Sequence, residues 1–84
     1  MYLHIGKDII IKKDEIIGIF NVESITETKE FNVIIESLKL TNRMIDISNG
    51  EAKTLVLYKK QNNLYGVISN VSSNSLGKRN NKND

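Results

Sequence analysis

The sequence predicts a small α+β domain that is rich in β-strands and carries one amphipathic helix. Short apolar runs recur along the chain between polar turn residues, which is typical of strands. One stretch has apolar residues at helical spacing. An Asn-Gly pair lies between two apolar runs, which indicates an antiparallel hairpin. These three observations together favour locally paired strands with one helix packed against them.

Three strand candidates lie in the first quarter of the chain. Residues 2–5 and 8–11 are short strands that Gly6-Lys7 interrupt. Residues 16–22 have the sequence IIGIFNV, and their apolar run is almost continuous. Such a run predicts a strand that is covered on both faces.

A helix is predicted after these strands. Its apolar stripe has the spacing i, i+3, i+4 and i+7 and consists of Phe31, Ile34, Ile35 and Leu38. Ser24 and Glu27 have the spacing of a capping box. Thr26 and Thr28 are alternative cap residues. We expect the helix to end near residues 41–42, because Asn accepts the left-handed conformation that often follows a helix.

Two further hairpins are predicted in the second half of the chain. Residues 44–48 and 53–59 flank Asn49-Gly50, a pair that tolerates the positive φ angles of a type I′ turn. Residues 63–69 form the last strand, after a short polar turn. The sequence therefore predicts antiparallel hairpins, in which strands pair locally.

The 84 residues fit one domain, which we assign to residues 1–69. Residues 70–84 are mostly Ser, Asn, Gly and Lys, and we expect a disordered tail there. The net charge of +2 belongs to this tail, because residues 1–74 hold nine basic and nine acidic side chains. A basic surface on the folded part therefore requires local segregation of charge or repetition in an oligomer.

The predicted sheet has more apolar surface than one helix can cover. Strands 16–22 and 53–58 look apolar on both faces, and the second face must meet another layer of this chain or another subunit. Because the chain is short, we expect a second subunit and therefore a homo-oligomer. The alternative is a small closed barrel that needs no partner.

Few residues suit catalysis. The chain has no cysteine, and its single histidine, His4, has no second ligand or nucleophile beside it. Asp14 and Glu15 are adjacent, so on a strand they point to opposite faces. The glycines are dispersed and form no phosphate loop. We expect no enzyme, and thus no catalytic residue, metal, cofactor or small-molecule substrate.

The chain also lacks membrane signals. No apolar run approaches the length of about 18 residues that a membrane-spanning helix needs. The start of the chain has no basic segment followed by a long apolar one, which is the pattern of a signal peptide. We therefore expect a cytoplasmic protein without membrane contact.

Basic residues at predicted turns are the candidate nucleic-acid contacts. Lys12 and Lys13 precede the apolar third strand, and Lys53 follows the Asn-Gly turn. Further turn positions carry Arg43, Lys59 and Lys60. Each residue alone fits a solvated turn. Turn positions at one end of a sheet can converge, however, and an oligomer repeats them, which raises the avidity for phosphates.

Several segments in this order and spacing resemble the bacterial extracellular-matrix regulator family, the small Rem-type proteins, and their B branch most closely. The resemblance covers residues 1–69. The segments are MYLHIGKDIII, IIGIF with the following Asn21-Val22-Glu23-Ser24, Met44-Ile45-Asp46, Asn49-Gly50, TLVLY and LYGVIS. It implies a cytoplasmic regulator of biofilm-matrix genes. The A branch binds DNA through a fold that resembles the LytTR type and assembles into rings with arginines on the rim.

The arginines of the A branch are not retained in this chain. The arginine before its third strand corresponds to Glu15, and the arginine pair after its hairpin glycine corresponds to Glu51 and Ala52. Acidic side chains repel phosphate, so the A-branch surface cannot be assumed here. The nearest basic substitutes are Lys12, Lys13 and Lys53. Lysine supplies charge for phosphate but lacks the bidentate contact that arginine makes with guanine.

Two functions remain open from the sequence. The first is a DNA-binding transcriptional regulator that acts as a homo-oligomer, with a ring as one form. The second is a non-enzymatic scaffold protein that keeps the assembly and has lost DNA contact, which Glu15 and Glu51 favour. A tail-mediated tether to a membrane or nucleic acid is a third, weaker reading, because it rests on three positive charges.

Overall fold

A computed structural model describes residues 1–80 and confirms the α+β class. The elements are β1 (Tyr2–Gly6), β2 (Ile9–Lys12), β3 (Ile16–Asn21), α1 (Val22–Ile25), α2 (Lys29–Leu40), β4 (Met44–Asp46), β5 (Thr54–Lys60), β6 (Asn63–Ser69) and α3 (Ser73–Asn80). A 3₁₀ turn, Lys13–Glu15, joins β2 to β3. β1 and β2 form a two-stranded sheet, and the other strands form a second sheet in the order β3-β5-β6-β4.

The predicted hairpin at Asn49-Gly50 is wrong. Both residues adopt positive φ, 57° and 86°, as their types favour. The segments on either side do not pair with each other, however, because β6 lies between them. The amides of Ile47 and Lys53 both donate to carbonyls of β6, at 2.8 and 2.9 Å. β4 consequently runs parallel to β6 at the edge of the sheet.

The second predicted hairpin, which joins β5 to β6, is confirmed. Gln61 and Asn62 form its two-residue loop with φ of 51° and 67°, and Lys60 lies opposite Asn63. Positive φ at both central residues matches the twist of the strands that it connects. β5 and β6 are therefore paired along their whole length.

One face of the four-stranded sheet is covered by the β1–β2 hairpin and α3. Leu3, Ile5 and Leu76 are at most 1% exposed and belong to one core with Val56 and Val67. This layer comes from the same chain. The expectation that a second subunit must cover the second face of the sheet is therefore wrong.

The expected disorder from residue 70 is also wrong as far as residue 80. Ser73–Asn80 form α3, whose first turn is capped by the Ser72 hydroxyl, which accepts from the Ser75 amide at 3.2 Å. Near the other end of the helix, Arg79 Nη1 donates to the His4 carbonyl at 3.1 Å. The folded unit thus extends beyond the predicted boundary at residue 69. The rest of the predicted tail, 81–84, lies outside the described residues.

The other face of the sheet packs against α1 and α2. Leu38 and Ile25 are buried there with Leu55 and Leu57 of β5. Phe20 of β3 and Phe31 of α2 are in tilted contact, with ring centroids 4.9 Å apart and planes at 60°. The predicted apolar stripe of α2 is therefore its buried face.

The helix starts differ from the prediction except at Thr28, one of the two alternative cap residues, which directly precedes α2. The chain has two helices where one was expected, and with α3 three in residues 1–80. Asn21 caps α1, since its side-chain oxygen accepts from the amides of Glu23 and Ser24 at 2.9 and 3.4 Å. The Ser24–Glu27 capping box does not form. α2 begins after Thr28, whose hydroxyl donates back to the Ile25 carbonyl at 2.9 Å.

Candidate nucleic-acid interface

Lys12 and Lys13 lie where β2 turns into β3. Lys12 is the exposed last residue of β2, opposite Tyr2. Lys13 is partly buried in the 3₁₀ turn, and its amide donates to the Met1 carbonyl at 3.1 Å. The backbone of this turn is thereby attached to the first residue of the chain. Both lysines are consequently placed at the start of β3.

Lys53 lies at the opposite end of the sheet. Its amide donates to Ser69 at 2.9 Å, and its carbonyl accepts from Val22 at 3.0 Å, so its backbone is fixed beside the end of β3. β5 runs antiparallel to β3 between these two ends. Five residues of extended strand separate them, or about 17 Å. The structure therefore does not bring Lys53 together with Lys12 and Lys13 within one chain.

Other basic residues do share an end of the sheet with Lys12 and Lys13. Tyr58 of β5 pairs with Ile16, the first residue of β3, and the 3₁₀ turn contacts β5. The lysines that follow Tyr58 in the chain therefore lie at this same end. We call this group the basic end, and it consists of Lys12, Lys13, Arg43, Lys59 and Lys60.

Arg43 joins the basic end through β6. Its Nη1 donates to the side-chain oxygen of Asn63 at 3.3 Å, and its carbonyl accepts from the Gly66 amide at 3.0 Å. Its Nε is buried and has no hydrogen-bond partner in the part of the chain that the structure describes. These contacts hold the guanidinium beside the β5–β6 turn, which directly follows Lys59 and Lys60.

Acidic residues reduce the positive potential of the basic end. Asp14 and Glu15 lie in the 3₁₀ turn, so two acidic residues stand among five basic ones. Burial raises the pKa of the Tyr58 hydroxyl, and the neighbouring Tyr65 and Glu15 raise it further. The effect of Glu15 on Tyr58 indicates that this carboxylate lies close to the end of β5. The end spans four strands, about 15 Å in width at the usual strand spacing.

Lys53 has its own polar surroundings. It lines a cavity of about 270 Å³ together with Asn21, Glu23, Ala52 and residues 72–74. Glu23 brings an acidic side chain to the cavity, and the neighbouring Glu51 is exposed. Lys53 is therefore one cation among polar groups, with acidic neighbours.

The chain matches the RemA-like family model, described as extracellular matrix regulatory protein A-like, over residues 2–79. The chain belongs to this family. Membership indicates a role in extracellular-matrix regulation and confirms the Rem-type resemblance. The match extends through most of α3, which the sequence had placed in a tail. The likeness to the B branch and to the LytTR fold stays a prediction. No curated protein matches the chain.

Within residues 1–80, no three His, Cys, Asp or Glu side chains are grouped so that they could hold a metal ion. No helix in that range is long and apolar enough to cross a membrane. The imidazole of His4 bonds through Nε2 to the Lys7 carbonyl at 2.7 Å, so this nitrogen carries the proton. The ring is thereby part of the β1–β2 turn.

The sequence selected Lys12, Lys13 and Lys53 as site residues and considered Arg43, Lys59 and Lys60 only as further basic residues at turns. The sequence predicts turn positions for all five members of the basic end, and the structure places Lys12, Lys59 and Lys60 at strand ends. Their convergence depends on the strand order, which no local pattern contains. The Gln61-Asn62 loop was the available signal, because a two-residue hairpin there fixes which end of the sheet Lys59 and Lys60 occupy.

Proposed function

We propose that this RemA-like chain is a cytoplasmic DNA-binding transcriptional regulator of biofilm-matrix genes that acts as a homo-oligomer. The basic end supports this proposal most directly, since five basic residues lie at one end of the sheet in a domain with little net charge. Clustered basic residues on a folded surface are the electrostatic footprint of nucleic-acid binding.

The chemistry of the basic end favours phosphate contacts over base recognition. Four of its five cations are lysines, which act as point charges for phosphate. Arg43, its only guanidinium, is engaged with Asn63 and partly buried. Binding should therefore depend strongly on salt. With four phosphates neutralised, affinity falls about 100-fold between 50 and 200 mM salt.

Self-association would give such weak contacts useful strength. An oligomer repeats the basic end, and repetition raises the avidity for phosphates. Exposed apolar side chains support association. Tyr2, Ile10 and Ile17, on β1, β2 and the edge strand β3, are 57–60% exposed.

Charge reversal at the basic end tests the proposal. Fluorescence anisotropy with a labelled DNA duplex would compare the intact protein with Lys59→Glu/Lys60→Glu and with Lys12→Glu. Lys29→Glu, at the start of α2, is the control for a change in charge alone. We expect the double variant to lose at least 100-fold in affinity at about 50 mM salt and the control to lose less than about threefold. Equal losses of affinity in Lys59→Glu/Lys60→Glu and in the control Lys29→Glu would exclude the basic end as the interface.

A second candidate function is a scaffold protein without DNA contact. It is favoured by Glu15 within the basic end and by Glu23 in the cavity of Lys53. In this case the intact protein forms an oligomer but does not bind the duplex at about 50 mM salt, where phosphate binding is strongest. A salt-sensitive complex would exclude the scaffold function.

A further inference from the structure

A second cavity, which Ala52 also lines, lies between α1, α2 and the sheet. Its volume is about 350 Å³, which falls in the range of small-molecule sites. Its walls are mostly aliphatic and include Val22, Ile25, Ile35, Leu55 and Ile68. None of the lining residues is aromatic. The cavity therefore suits an aliphatic group of a few carbon atoms.

The polar part of this cavity carries one charge of each sign. Glu36 and Lys39 line it from α2, three residues apart and hence neighbours on one side of the helix. Neither forms an ion pair within residues 1–80, although the Lys39 ammonium contributes slightly to a lowered pKa of Asp46. Asn32 also lines the cavity and donates through Nδ2 to the Thr26 carbonyl at 3.1 Å, which leaves its Oδ1 as an acceptor.

We infer that this cavity binds a free α-amino acid with a branched aliphatic side chain, such as leucine. Its ammonium group meets Glu36 and the Asn32 oxygen, and its carboxylate meets Lys39. The side chain is buried against the aliphatic wall. A fatty acid would leave the Glu36 carboxylate facing its own carboxylate, and an alkylamine would leave Lys39 facing a like charge. Of these three ligand classes, only the zwitterionic amino acid complements both Glu36 and Lys39.

Nuclear magnetic resonance titration of the intact, ¹⁵N-labelled protein tests the ligand class. The probes are L-leucine, isocaproate, which lacks the ammonium group, and isoamylamine, which lacks the carboxylate. We expect saturable shifts of the amides that line the cavity with L-leucine, and at least about tenfold weaker binding of the other two, because each loses one charge-assisted contact. Isocaproate or isoamylamine binding as tightly as L-leucine would overturn the inference, as would no saturation by about 10 mM L-leucine.

Variants locate the site. Glu36→Gln and Lys39→Gln should each weaken L-leucine binding by about tenfold. Glu30→Gln and Lys29→Gln change the same charges on the same helix outside the cavity and should leave the affinity within about twofold. All four positions are exposed, so folding is retained. Unchanged binding in the cavity variants, or equal losses in the controls, would contradict the assigned site.

Discussion

At the scale of single residues, Asp46 shows how a local hydrogen bond sets a proton affinity. The Ser48 hydroxyl donates to its carboxylate at 2.5 Å, and the Ser48 amide donates at 2.9 Å. Both bonds lower the pKa of Asp46 below its ordinary value of 3.8, the hydroxyl more than the amide. A lowered folded-state pKa stabilises the fold above the unfolded pKa. This contribution is lost as the pH falls through the folded value.

Ser48→Ala tests this linkage. The variant removes the hydroxyl and keeps the amide, so we expect the pKa of Asp46 to rise part of the way towards its ordinary value. Asp46 should then contribute less to the loss of folding stability as the pH falls through its folded-state pKa. Carboxyl ¹³C shifts followed against pH measure the pKa, and Ser37→Ala, on the exposed side of α2, is the control. An unchanged Asp46 pKa in Ser48→Ala would show that the amide alone sets it.

Residue-level features that depend on local chemistry were predictable. Asn42 follows α2 with φ of 57°, as expected for a helix end. Gly18 and Gly66 lie inside apolar strand sequences, where a glycine often marks a bulge or tight packing. Gly18 lies at a register shift in β3 under the ring of Phe20, and Gly66 packs against Met44. Each feature follows from the conformational range or small volume of one residue.

At the scale of elements, α3 shows where composition is a poor guide. Its segment is polar apart from Leu76, and low hydrophobicity predicted disorder. A single leucine with no exposed surface is enough to dock the helix, because it completes a core already built from Leu3, Val56 and Val67. Composition averages over a segment and cannot show that one side chain fits one existing gap.

Leu76→Ala tests the contribution of α3. Truncation of a fully buried leucine costs about 2–5 kcal/mol in the free energy of unfolding, which is large for a domain of this size. Lys78→Ala, an exposed position on the same helix, should change it by less than about 0.5 kcal/mol. Urea unfolding followed by circular dichroism measures both. Equal stability of Leu76→Ala and the intact protein would mean that α3 is not docked in solution.

Strand pairing was predictable only where it is local. The sequence located β1, β2, β3, β5 and β6 to within one or two residues. The Asn49-Gly50 pair has the backbone conformation of a hairpin turn, but turn geometry does not decide which strands become neighbours. β6 competes with β4 for the same edge of β5. Only two residues link β6 to β5, so closing this short loop costs little conformational entropy. Whether Lys53 shares an end of the sheet with Lys12 and Lys13 also depends on the strand order, and the structure places it at the opposite end.

At the scale of the whole molecule, both faces of the sheet are covered by one chain. Self-association is therefore not needed to bury the sheet and must use the outer surface. Tyr2 and Ile10 lie on the outside of the β1–β2 hairpin, since Leu3, Ile5 and Ile11 point inward. Ile17 is the extra residue of the β3 bulge at an unpaired sheet edge. Exposed apolar residues beside an open strand edge are typical of a surface that pairs with another chain.

Ile10→Asp/Ile17→Asp tests whether this surface carries the proposed homo-oligomer. Both side chains are more than half exposed, so the monomer fold should survive, whereas a buried carboxylate at an interface is strongly unfavourable. We expect light scattering to show a multiple of 9.5 kDa for the intact protein and a mass near 9.5 kDa for the variant. Val33→Asp, at an exposed apolar position on α2 across the sheet, is the control and should keep the larger mass. Dissociation by Val33→Asp alone would move the interface to α2, and a single-chain mass for the intact protein would exclude the homo-oligomer.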